Sequence, residues 1–176
     1  MDIVARRTLS SELERQATHA PDTVVLIFES VLGSHQQFTY REFDKRVNQT
    51  AQALKTLGVQ KGDRVHIHLV NCPEFLLTWF AAARIGAVMV PSSPQAHPEE
   101  LAYLIEHSES RVSVTEPMLY DTVAAVRSQC PALVHVVLAR TAETPTETLA
   151  FDTLVEAASA DSPCVPLDPS DEAAML

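Results

Sequence analysis

Apolar residues at Phe43, Val47, Ala51, Leu54 and Leu57 recur at three- and four-residue steps and stop at Gly58, the spacing of one buried helix face closed by a left-handed glycine. Thr39 followed by Glu42 is a capping-box pair at its start. A shorter helix is expected over 9–18, with Leu9, Leu13 and Ala17 on one face and Ser10 or Ser11 as the cap. Between the two, 24–28 is rich in β-branched and aromatic residues and 36–39 follows across Gly33, which predicts a small antiparallel hairpin.

After a turn at Lys61-Gly62-Asp63 the period changes to two: Val65, Ile67 and Leu69 alternate with His66, His68 and Val70 as a strand. A helix begins at Pro73, with Asn71 expected to cap its free amides and Glu74 to reach back. Gly86 suits its exit, and Val88, Met89 and Val90 form a buried strand that Pro91 ends. Further elements are a helix from Pro98 to near Ser108, a strand over 111–115, a helix over 120–127, a strand over 134–138 and a short helix over 151–158. Residues 139–148 have no apolar period and read as a surface loop, and 163–170 read as extended linker. Strands alternating with helices through short connections imply an open, largely parallel α/β sheet flanked by helices, beside the hairpin.

Composition narrows the picture. With 46% hydrophobic and 20% charged residues, the chain is of ordinary globular type, and 176 residues suffice for one α/β domain over 1–176. The net charge of −10 falls on the second half, which argues against nucleic acid and anionic lipid as partners. Three cysteines, Cys72, Cys130 and Cys164, show no CxxC spacing, so neither a disulfide framework nor a zinc ribbon is expected. The N-terminus lacks a secretory pattern and the apolar run 75–90 is too short to span a bilayer and contains Arg84, so a cytoplasmic location is expected.

Candidate chemistry is sparse. The four glycines, Gly33, Gly58, Gly62 and Gly86, build neither GxGxxG nor GxxxxGK[ST]; Gly58 and Gly62 read as a helix exit and a turn. His66 and His68 share a strand face with metal-compatible spacing, but nothing beside them in sequence completes a site, and a pair partly covered by a helix is the expectation. His107 reads as a helix end, Trp79 and Phe80 as core. Cys72, near a helix N-terminus, is either an activated thiol or an inert one. No GxSxG occurs. No catalytic, cofactor-binding or metal residue is therefore assigned within the chain.

One ordered set of features resembles the front end of the adenylate-forming acyl-CoA synthetases. It comprises Phe38-Thr39-Tyr40, Leu57-Gly58, Lys61-Gly62-Asp63-Arg64-Val65, Asn71-Cys72-Pro73-Glu74-Phe75, Gly86-Ala87-Val88 to Pro91, Pro98-Glu99-Glu100-Leu101 and Asp171-Glu172-Ala173-Ala174-Met175-Leu176. The stretch from His68 to Phe75 with Trp79-Phe80 resembles the crotonobetaine/carnitine-CoA ligase branch. The resemblance implies a parent enzyme that activates a carboxylic acid with ATP and Mg²⁺ as an acyl-adenylate and passes the acyl group to CoA. It also implies that the Thr/Ser/Gly-rich phosphate loop follows Leu176. The chain alone is then expected to bind no cofactor and to be inactive, with possible partners limited to a second copy through an exposed edge. A stand-alone α/β binding module without catalysis is the alternative reading.

Overall fold

A computed structural model describes residues 7–30, 33–141 and 143–176. Helix α1 (Leu9–His19) precedes an antiparallel hairpin of β1 (Val24–Glu29) and β2 (His35–Thr39). The α1 cap is Thr8, not Ser10 or Ser11: Thr8 and Ser11 form a reciprocal capping box, while Ser10 turns inward to meet Arg84. Helix α2 (Tyr40–Thr56) starts on the expected Thr39/Glu42 box, which satisfies two otherwise free amides.

The remaining elements alternate: β3 (Arg64–Ile67), α3 (Pro73–Ile85), β4 (Val88–Pro91), α4 (Pro98–His107), β5 (Val112–Thr115), α5 (Pro117–Val126), a 3₁₀ turn at Arg127–Gln129, β6 (His135–Leu138), β7 (Thr148–Ala150) and α6 (Phe151–Ala157). The five strands form one parallel sheet in the order β4-β3-β5-β6-β7. The expected loop over 139–148 ends in β7, three residues long and paired with β6 through Val136, Val137 and Leu138. Helix α5 starts at Pro117 rather than residue 120, because proline fits the first turn and needs no amide partner there.

Side chains alternate across the sheet. Val65, Ile67, Val112, Val114 and Val137 face Phe43, Val47, Ala51, Leu77, Ala81, Phe151 and Val155 of α2, α3 and α6. The opposite face, including Val136, meets Leu101, Ile105, Val123 and Val126 of α4 and α5. This is the two-sided cover that a parallel sheet requires. Arg84 is 2% exposed and joins three helices: Nε donates to Ser10 Oγ at 3.1 Å, Nη1 to Asn48 Oδ1 at 2.5 Å and Nη2 to Asp44 Oδ1 at 2.8 Å. A buried guanidinium is tolerated because a carboxylate and neutral acceptors meet it.

From α6 the chain returns across the helical layer that α6 shares with α2 and α3. Gln49 and Gln52 donate to the carbonyls of Ala158 and Asp161, and Lys61 pairs with Asp171 at 2.7 Å and donates to the Pro166 carbonyl at 3.1 Å. Residues 163–168 lie outside helix and strand, but the extended linker expected over 163–170 is interrupted by Cys164 at φ 50° and by a turn at Pro169-Ser170. Ala174 then makes a parallel bridge to Met89, with hydrogen bonds from Met89 N to Ala173 O and from Met175 N to Met89 O. The chain thus crosses from the β7 edge of the sheet to the β4 edge.

Candidate functional site

Chain order places β4 on one side of β3 and β5 on the other, so the direction of winding reverses between β3 and β5. Ligands of open α/β sheets bind outside the carboxyl ends of the strands at such a reversal. Here that edge is formed by His68 to Cys72 after β3, Ser92 after β4, Thr115 and Glu116 at the end of β5, and Arg140 after β6.

Glu116 organises the edge. It is 5% exposed; one carboxylate oxygen accepts the Val70 amide at 3.1 Å and the other pairs with Arg140. One side chain thereby joins the ends of β3, β5 and β6. Helices α3, α4 and α5 all start at this edge behind Cys72, His97 and Glu116, none of which caps with its side chain, and each has proline in its first turn. Asn71 is therefore not the cap, and Glu74 does not reach back: its Oε2 is buried without a partner in the chain. Proline at the first turn already removes one free amide, which lessens what a cap would satisfy.

His66 and His68 do share a face, but both are fully buried rather than partly covered. His66 Nδ1 lies 2.8 Å from Ser113 Oγ, His66 Nε2 lies 3.0 Å from Ser92 Oγ, and His68 Nδ1 lies 2.8 Å from Ser92 Oγ. Burial pushes the His66 pKa down to about 3, helped by His68; burial also lowers that of His68, against the opposing charge of Glu116. Both rings are neutral at pH 7 and are poor general bases. Ser92, between them, is only 8% exposed, so this serine–histidine contact is closed to a substrate.

Burial and the neighbouring Glu74 push the Cys72 thiol up to about 12, so the inert reading of this residue holds. The expected dipole effect at a helix N-terminus loses to desolvation and a carboxylate. Trp79 and Phe80 pack against the core, with Phe80 edge-on to Phe43 at 5.3 Å. His107 ends α4 and stacks on Tyr103 at 5.2 Å. Each glycine stands alone in a turn or helix exit, and no group of three His, Cys, Asp or Glu among the described residues is arranged to hold a metal ion. The described residues contain neither a glycine-rich phosphate loop nor a cluster of metal-ligand side chains.

Sequence reasoning missed Ser92, Ser113, Glu116 and Arg140. A signal existed for one of them: Ser113, with Thr115, alternates with valines as His66 and His68 alternate with apolar residues, marking one polar stripe on two strands. Glu116 and Arg140 are brought together only by strand order.

A sheet of this order with an N-terminal hairpin and an edge bridge from Ala174 is an adenylate-forming-enzyme fold, and the sequence carries the matching family pattern. The chain belongs to the AMP-binding enzyme family, whose model matches residues 13–176. Among curated proteins it is similar to the crotonobetaine/carnitine–CoA ligase of Salmonella paratyphi A, 39% identical over 127 residues, which cover 72% of this chain and 25% of that protein. The chain thus spans about a quarter of the length of the curated relatives it matches. Among solved structures, the anthranilate CoA ligase AuaEII in complex with anthranoyl-AMP superposes with a TM-score of 0.89 at 21% identity, covering 98% of this chain and 32% of that one. The N-terminal domain of FACL13 from Mycobacterium tuberculosis gives 0.81 at 23% identity, covering 96% and 40%. At these identities the structural matches speak for the fold.

Proposed function

We propose that this chain is the N-terminal portion of an ATP-dependent, AMP-forming acyl-CoA ligase. The parent activates a carboxylic acid as an acyl-adenylate, releasing pyrophosphate, and then transfers the acyl group to the thiol of CoA. The observation that carries this reading is the family match over 13–176 together with 39% identity to a curated CoA ligase. That relative also makes a carnitine-like acid the first substrate to test. In the parent, ATP and CoA are the co-substrates, Mg²⁺ is the cofactor of the nucleotide, and the setting is the cytoplasm. Residues 1–176 form one part of the large adenylation domain, placed before the phosphate loop, and contribute a layer of the scaffold; alone they carry no adenylating activity.

The test is exchange of labelled pyrophosphate into ATP with carnitine, crotonobetaine and a panel of short-chain, aryl and fatty acids. The 176-residue chain is expected to show no exchange above background, and the full-length parent is expected to exchange with at least one acid. Exchange by the short chain would refute its assignment as a scaffold portion. A parent silent with every acid would refute the ligase reading.

A further inference from the structure

The sheet face beneath α4 and α5 carries a file of polar side chains that ends on two unmet atoms. Ser113, His66, Ser92 and His68 are linked in order by contacts of 2.8, 3.0 and 2.8 Å. Beyond them, His68 Nε2 and Thr115 Oγ1 are buried and have no hydrogen-bond partner in the chain. His68 directly follows β3, and Thr115 ends the neighbouring β5. Ile67 pairs in register with Val114, and the His68 amide donates to the Val114 carbonyl at 2.9 Å, so His68 and Thr115 are the next pair on one face. A buried polar atom left unmet is costly to the fold. Internal water is the usual occupant of such places.

Proton inventory gives the file a direction. Each neutral ring has one N–H, and Ser92 has one hydroxyl proton for two ring neighbours. Donor and acceptor roles alternate along such a file, so its links all run in one sense or the other, and the sense proposed here puts the His68 proton on Nε2. Ser92 then donates to His68 Nδ1 and accepts from His66 Nε2, while Ser113 donates to His66 Nδ1. Every link is satisfied in one sense, and the file ends in a donor at His68 Nε2.

We propose that one internal water molecule is bound between His68 Nε2 and Thr115 Oγ1, accepting the His68 N–H and hydrogen-bonding the Thr115 hydroxyl. The site takes water rather than an anion, because both rings are neutral, and rather than a metal ion, because no group of three His, Cys, Asp or Glu among the described residues is arranged to hold one. Its effect is to hold both imidazoles in one tautomer at the point where the sheet reverses its winding.

Long-range ¹⁵N–¹H spectra of the labelled chain at pH 7 read the tautomers directly. Both rings are expected to be neutral with the proton on Nε2, and the His68 ring N–H is expected to show a cross-peak to water. Thr115→Val removes the hydroxyl at nearly constant shape; it is expected to abolish that cross-peak and shift His68 while His66 stays in place. Ser113→Ala, at the far end, is expected to perturb His66 and retain the water. A His68 proton on Nδ1, or no water cross-peak in the unmodified chain, would overturn the proposal whether or not either variant folds.

Discussion

Full burial of two imidazoles has a consequence for stability. His66 titrates near 3 in the folded chain against about 6.5 when unfolded. Between those values the unfolded chain takes up a proton that the folded chain refuses, so stability rises with pH across this window. The contribution is fully present above about pH 6.5 and is lost below it, by up to about 1.4 kcal/mol per pH unit for one such histidine; the lowered His68 acts in the same sense. Urea midpoints should therefore fall between pH 7.5 and pH 5, and His66→Gln should flatten that dependence even though it weakens the fold; an unchanged slope would place the effect on other groups. The three thiols give a second residue-scale test. Cys72 and Cys130 are buried with raised pKa values, whereas Cys164 is exposed. A chromogenic disulfide at pH 8 should titrate one thiol rapidly in the native chain and three in denaturant. Rapid reaction of Cys72 would contradict its burial.

At the scale of elements, periodicity read best where one face is buried and the ends carry local signals. Helix α2 was legible because Phe43, Val47, Ala51 and Leu54 repeat between a capping box and Gly58. The strand β3 was legible from the alternation of Val65 and Ile67 with His66 and His68, and β6 from its run of valines. Local patterns failed where a remote partner decides the outcome. β7 is three residues long and exists because β6 offers an open edge; Thr148-Leu149-Ala150 has no strand pattern of its own. The cap at α1 shifted to Thr8 because Ser10 is drawn to Arg84, 74 residues away in sequence. The polar edge around Glu116 was invisible for the same reason. Gly86 joins local and remote demands: it closes α3 at φ 70°, and a Cβ there would lie 2.8 Å from Lys61 Cγ and 3.0 Å from Leu167 Cδ2. Gly86→Ala should cost about 1–2 kcal/mol from the left-handed backbone, read as a lowered urea midpoint. A cost near zero would mean that this helix exit relaxes freely.

The whole molecule is held by a return path that no single element reveals. The segment after α6 travels from the β7 edge to the β4 edge, touching α2, the turn before β3 and finally Met89. It lies largely outside helix and strand, so its attachment rests on a few polar contacts, on Val165 packed against the core and on Leu167 near Gly86. Lys61 supplies two of those contacts, to Asp171 and to the Pro166 carbonyl, and its side chain is 44% exposed. An exposed ion pair contributes little to global stability, but it can govern local opening, which is a separate and smaller free-energy gap. Lys61→Met should therefore leave the urea midpoint nearly unchanged while speeding cleavage within 161–171 several-fold by a protease that cuts at aspartate. The sheet and its two helical layers should remain as a resistant core. If instead the midpoint falls in step with the cleavage rate, the return segment opens only when the whole sheet does, and the bridge at Met89 is part of the cooperative fold rather than an addition to it.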